Sequence, residues 1–166
     1  FHKMKYKSVV YDTSDQTIKG FEAGRCDMLT SDQSQLYALM TKLKDPASAM
    51  VLPEIISKEP LGPVVRQGDD VWFNINKWTL NALINAEEMG ITSQNINEKK
   101  SSKDPSVMRF VGKSKNLGKK ISLDNSWAVN IIAQVGNYGE IFERNVGKNT
   151  PLKIARGLNA LWNKGG

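Results

Sequence analysis

Residues 24–36 read GRCDMLTSDQSQL. Within them Cys26–Thr30 is a short, mostly apolar run bounded by polar residues, and behind it Leu36, Leu39, Met40 and Leu43 recur at helical spacing. The pattern predicts a strand that turns a tight corner into a helix. Asp32 stands at that corner, at the C-terminal end of the strand and the start of the helix.

The same alternation repeats on either side of this stretch. Met4 to Tyr11 (MKYKSVVY) mixes β-branched and aromatic residues with a period of two, as a strand does. Thr13 followed by Gln16 is a capping-box pattern, Ile18 and Phe21 give a one-sided apolar face, and Gly24 suits a helix stop, so a helix is expected over 14–23. Pro46 closes the second helical region. Met50 to Pro53 and Leu61 to Arg66 read as further extended pieces. Strands alternating with helices predict an α/β layer built on a parallel sheet.

The character changes after Gly68. Asp69 or Asp70 can cap a long helix with a stripe through Ile75, Trp78, Ala82, Ala86 and Met89, stopped by Gly90. Ser93 is read as the cap of a short helix, Pro105 as the first residue of another ending near Gly112, and Asp124 or Asn125 as the prelude to one with Trp127, Ile131 and Val135 on one side. GNYG, residues 136–139, reads as a turn between two helices. Thr150 and Pro151 are expected to open a last helix with Ile154, Leu158, Leu161 and Trp162. No strand pattern remains after residue 66 for these stripes to cover, so their sheet is expected to lie outside the chain. The tryptophans Trp72, Trp78, Trp127 and Trp162 have helical spacing and read as core residues.

Composition excludes several kinds of chemistry. Cys26 is the single cysteine and His2 the single histidine, which leaves no internal disulfide, Cys/His zinc site or histidine-based dyad. No cofactor and no metal are expected. The net charge of +6 is a mild excess, with Lys42, Lys77, Lys99, Lys119 and Lys153 spread along the chain, so no nucleic-acid partner is expected. No run reaches the roughly 18 consecutive apolar residues of a membrane-spanning helix.

Among the carboxylates, Asp32 has two readings. At the C-terminal edge of a strand, where open α/β sheets bind ligands, it can accept charge-assisted hydrogen bonds from an ammonium group. It can also serve as a plain helix N-cap. Asp27 lies five residues earlier and points to the opposite face of an extended strand, so the two make no paired dyad. Lys58 and Glu59 either contact a ligand or pair with each other at the surface.

GRCDMLTSDQSQL resembles the second-lobe segment of polar amino-acid-binding proteins, in which a Gly-Arg-x-Asp strand ends five residues later in an aspartate. Three further stretches, VLPEIISKEPLGPVVRQGDDVWF, LDNSWAVNIIAQVGNYGEIFERNVG and PLKIARGLNALW, are similar to the general L-amino-acid-binding proteins of ABC transporters, family 3 of the periplasmic solute-binding proteins with the type II periplasmic binding fold. The resemblance implies that Asp32 holds the ligand's α-ammonium group, with Glu59 as a second ligand-binding candidate. It implies a periplasmic carrier that binds free L-amino acids broadly, delivers them to a membrane permease and catalyses no reaction. A few relatives on this scaffold are dehydratases, for which Asp32 and Glu59 would be the acid–base candidates.

Set on that two-lobed pattern, residues 1–56 are expected to form the later part of the second α/β lobe, 57–66 a hinge strand and 67–166 the helical C-terminal part of the first lobe. The chain opens at Phe1 without an initiator Met and stops at Gly166 straight after an apolar pattern. It is accordingly expected to be a C-terminal fragment, whose partner is the missing N-terminal half of the same protein.

Overall fold

The computed structural model describes residues 5–166. The chain forms two compact units, Phe1–Pro60 and Leu61–Gly166. In the first, α1 (Ser14–Glu22) is capped by Thr13, whose hydroxyl accepts the Gln16 N–H at 3.2 Å, as the capping pattern predicts. Gln16 reaches back one residue further than expected, to the Asp12 N–H. The second helix, α2 (Gln33–Met40), packs with α1 around Ile18, Leu39 and Leu43, with Phe21, Leu29, Met40 and Ala49 closing the cluster.

In the second unit α3 (Asp70–Glu88) is the spine, capped by Asp69 through the Trp72 N–H at 2.9 Å. Around it stand α4 (Ile96–Lys99), α5 (Pro105–Phe110), α6 (Trp127–Val135) and α7 (Tyr138–Asn145). Helices α6 and α7 both lie against α3, and α6 also against α4. The core joins Ala86, Ile91, Ile96, Val107, Val111, Val129 and Ile132. Asp104 caps α5 through the Ser106 and Val107 N–H groups, with Pro105 at the first position as read from the sequence.

The polar joint of this unit lies at the GNYG turn. Asn137 and Glu140 form a reciprocal capping box at the head of α7. Glu140 also accepts the Ser93 N–H at 3.0 Å and the Ser93 hydroxyl at 2.6 Å, while the buried Asn137 amide donates to the Ile91 carbonyl at 2.8 Å. Ser93 is therefore not the cap of α4. That position falls to Asn95, and the turn into α4 is held by Thr92, whose N–H donates to Asn95 Oδ1 and whose hydroxyl accepts from the Asn95 N–H.

A second tie is Arg156, which grips Glu87 of α3 with two hydrogen bonds of 3.0 and 2.9 Å. Its guanidinium lies 5.4 Å from the Tyr138 ring centroid and 5.1 Å from that of Phe142.

The structure departs from the sequence reading in several places. Among the described residues none belongs to a strand. Met4, the first residue of the strand expected at Met4–Tyr11, lies outside the described residues. Residues 5–11, 26–30, 50–53 and 61–66 run without a ladder, since a strand exists only through a paired neighbour.

The last expected helix does not form. Thr150 and Pro151 start a turn, but Lys153 takes a left-handed φ of 51°, and the Ile154 N–H bonds back to the Val146 carbonyl, so a buried anchor displaces the helix. Only short 3-10 turns, Gly157–Asn159 and Trp162–Lys164, follow. On α6 the buried face is Ala128, Val129 and Ile132, not the line of Trp127, Ile131 and Val135. That helix is apolar almost all round, so packing on α3 and α4 chose the face that periodicity left open.

The tryptophans are not core residues of this chain. Trp72, Trp78 and Trp162 are 51%, 47% and 75% exposed. The stripe of α3 is buried only in its second half, at Ala82 and Ala86, whereas towards its start Val71, Trp72, Phe73 and Trp78 stand open. No layer among the described residues covers that half.

Glu140 titrates below the ordinary carboxylate range. Burial alone would raise it, but the Ser93 hydroxyl, the Asn137 and Ser93 N–H groups and the charge of Arg144 together outweigh that effect. A depressed folded value stabilises the fold above the unfolded pKa of about 4.3, and the contribution fades as pH falls through the folded value. Glu140→Gln should cost about 1–3 kcal/mol at neutral pH, and its gap from the parent should narrow in denaturant melts below about pH 4. On α3, Trp78→Lys in this chain should reduce binding of a hydrophobic dye while moving stability by less than about 0.5 kcal/mol. Ala86→Phe, at a fully buried position, should cost about 1–3 kcal/mol.

Candidate functional site

Asp32 is the residue preceding the first turn of α2, with φ −54° and ψ 139°. Its main-chain carbonyl accepts the Leu36 N–H at 2.9 Å, which starts the helix ladder. Its carboxylate makes no cap hydrogen bond and is exposed to solvent. Neighbouring polar groups are engaged instead. The Ser31 hydroxyl donates to Gln35 Oε1, and the Gln35 amide donates to Ser14 Oγ on α1 at 2.9 Å. This relay ties the corner to α1, and the Asp32 carboxylate takes no part in it.

The cap reading of Asp32 thus loses its defining bond. Elsewhere in the chain capping aspartates do make it: Asp45 to the Ala47 N–H, Asp69 to that of Trp72, and Asp104 to those of Ser106 and Val107. An exposed carboxylate with no cap bond is open to receive a cation.

Asp27 is placed differently. It lines a shallow hollow of about 410 Å³ with Phe21, Glu22, Leu43 and Lys44, and Asp32 does not line that hollow. A second hollow, of about 430 Å³, lies between Tyr11, Gln16, Gly20 and Arg25. There the Tyr11 ring lies so close to Gly20 that a Cβ on Gly20 would come within 2.2 Å of the hydroxyl, which has no hydrogen-bond partner among the described residues. Lys58 and Glu59 are exposed and form no ion pair with each other, so the surface salt bridge considered for them is absent. Among the described residues no group of three or more His, Cys, Asp and Glu side chains is arranged to hold a metal ion. No helix is long and apolar enough to cross a membrane, among the residues described.

No family model matches the sequence. Among curated proteins, the chain is 61% identical over 166 residues to YhdW of Escherichia coli, provisionally named an amino-acid ABC transporter-binding protein. It is 56% identical to the general L-amino acid-binding periplasmic protein AapJ of Rhizobium johnstonii, and 46% identical to the glutamate/glutamine/aspartate/asparagine-binding protein BztA of Rhodobacter capsulatus. Each match covers 99% of this chain and 49% of the relative. The chain spans about half the length of the curated relatives it matches. A solved ABC transporter periplasmic binding protein from Brucella ovis, with glutathione bound, is 52% identical and superposes with a TM-score of 0.90, over 99% of this chain and 52% of that one. The chain therefore has the fold of part of a periplasmic binding protein.

If the Asp32 carboxylate does no capping work, its removal should leave the fold nearly intact. Asp32→Ala should change the stability of the chain by less than about 0.5 kcal/mol, whereas Asp104→Ala should cost about 1 kcal/mol. Thermal and denaturant melts of the two variants side by side check this.

Proposed function

Because this chain belongs to the family of amino-acid ABC transporter-binding proteins, we propose that it forms the carboxyl-terminal half of a periplasmic carrier that captures free L-amino acids and hands them to a membrane permease without chemical change. The observation that carries the ligand assignment is the exposed Asp32 carboxylate, free of any cap bond at the head of α2. In this reading it accepts the ligand's α-ammonium group, a contact worth roughly 1.5–3 kcal/mol once shielded from water. Glu59 is a second, weaker candidate for the ligand contact.

The ligands in the relatives' names support a site that recognises the head group. Amino acids carry an α-ammonium beside an α-carboxylate, and glutathione carries the same pair at its γ-glutamyl end. A carrier built around that pair tolerates varied side chains, which fits broad specificity. The reading as a dehydratase has no support among the relatives, all of which are named as binding proteins.

The same reading accounts for the missing ladders and the open half of α3. Segments 5–11, 26–30, 50–53 and 61–66 would pair in a parallel α/β sheet of the full-length protein. Residues 1–56 would belong to one lobe, 57–66 to a hinge strand and 67–166 to the helical part of the other. The remaining half of the protein would supply the strands that cover Val71, Trp72, Phe73 and Trp78, and the cation that grips the ligand's carboxylate.

Calorimetry on the full-length protein tests the assignment. Asp32→Asn should weaken binding of L-glutamine or L-glutamate by about 10- to 150-fold. Asp27→Asn should stay within about threefold of the parent. N-acetylated ligand, which lacks the ammonium, should bind the parent about as poorly as the free amino acid binds the Asp32→Asn variant. An affinity for that variant within threefold of the parent would remove Asp32 from the site.

A further inference from the structure

The positive charge of the chain, spread along its length in sequence, is unequal between its two units. Residues 1–60 hold eight Lys and Arg against eight Asp and Glu, whereas residues 61–166 hold fifteen against nine. The whole surplus of +6 belongs to the second unit. Within it, residues 105–123 carry Arg109, Lys113, Lys115, Lys119 and Lys120 and no acidic residue at all.

The fold gathers the four lysines among them on one loop, while Arg109 lies on α5. Residues 112–125 leave the end of α5 and return to the head of α6 as a closed loop. At its mouth Gly112 lies so near Asn125 that a Cβ there would come within 2.0 Å of the Asn125 carbonyl oxygen, and one on Gly118 would come within 2.2 Å of that of Asp124. Asn125 also donates to Asn116 Oδ1 at 2.8 Å. With its ends joined and its middle tied back, the loop is a compact surface element of the kind that is often functional. Lys113, Lys115, Lys119 and Lys120 all sit on it, all are exposed, and none enters an ion pair among the described residues. Leu117 stands among them, 37% exposed. Lys115 and Ser122 hold left-handed φ values of 66° and 61°, which such side chains seldom adopt, beside Asn116 at 46°, which asparagine tolerates, so the loop keeps a set shape.

We propose that this loop docks the protein on an anionic phospholipid surface. The chemistry selects that partner over others. All four loop cations are lysines, compact and strongly hydrated point charges that suit a diffuse field of phosphates, whereas grips on individual carboxylates favour the arginine fork. Protein interfaces concentrate aromatic residues and arginine at their centres, and residues 111–126 contain neither. Single-stranded nucleic acid is held by aromatic platforms, which are missing for the same reason. A cluster of lysines around one exposed aliphatic side chain supplies the charge attraction, and a small apolar contact, by which basic segments are held at an anionic bilayer. The proposal is independent of the role of Asp32.

The test is flotation of the full-length protein with vesicles made of equal parts phosphatidylglycerol and phosphatidylcholine, against vesicles of phosphatidylcholine alone. The parent should float with the anionic vesicles at low salt and be released as ionic strength rises. Each lysine near such a surface is worth roughly a fivefold change in partition. The combined variant Lys113→Gln, Lys115→Asn, Lys119→Gln, Lys120→Gln should therefore lose on the order of 500-fold, with its melting temperature and its amino-acid affinity unchanged. A control that removes the same charge from the first unit, Lys5→Gln, Lys7→Gln, Lys44→Gln and Lys58→Gln, should lose far less. Equal binding to neutral and anionic vesicles, or equal losses in the two quadruple variants, would overturn the proposal. So would capture only by vesicles that contain the permease, whatever their lipid charge, which would point to an acidic protein surface.

Discussion

The second unit turns on the side chain of Asn137, which is 4% exposed and cannot be left unpaired without a penalty of about 1–3 kcal/mol. Its oxygen caps α7 and its amide holds the carbonyl of Ile91, so one residue joins the start of α7 to the chain leaving α3. Glu140 doubles the joint by taking Ser93 from the same corner. Ile91, Ile96 and Ile132, the three largest fully buried side chains, can meet only if that corner and α7 are held in register. A polar network thus sets where an aliphatic core closes. Half-satisfied, it would be worse than none.

Much of this was legible in the sequence because it is local. Thr13 and Asp69 cap the helices they were expected to cap, Pro105 opens α5 as read, and GNYG is the turn its glycines suggest. What failed to read out depends on distance along the chain. The pairing of Glu87 with Arg156 and of Ile91 with Asn137 leaves no mark in any window short enough to show a period. The expected helix after Pro151 had the right local signals and lost to one backbone bond between Ile154 and Val146. At the candidate site, periodicity placed Asp32 at the helix start. That its carboxylate makes no cap bond is a matter of side-chain orientation, which no window of sequence shows.

The exposed tryptophans carry a related lesson. Helical spacing of Trp72 and Trp78 correctly marks a face made for burial, but burial is a property of two surfaces. Half of α3 meets its counterpart in α6 and α7, and the other half presents its stripe to solvent. An amphipathic pattern therefore states a demand for a partner without saying whether the same stretch of chain supplies it.

The Glu87–Arg156 pair sets a timetable as well as a geometry. The two residues are 69 apart in sequence, and the aromatic rings that flank the guanidinium, Tyr138 and Phe142, also come late. At the ribosome's pace of about 5–20 residues per second, α3 waits several seconds after its own synthesis for the cation that secures its end. During that interval the nascent helix has its caps but neither its anchor nor its core neighbours from α6. A chain so arranged stays open to whatever binds unfolded segments until Arg156 and the rings beside it have been made.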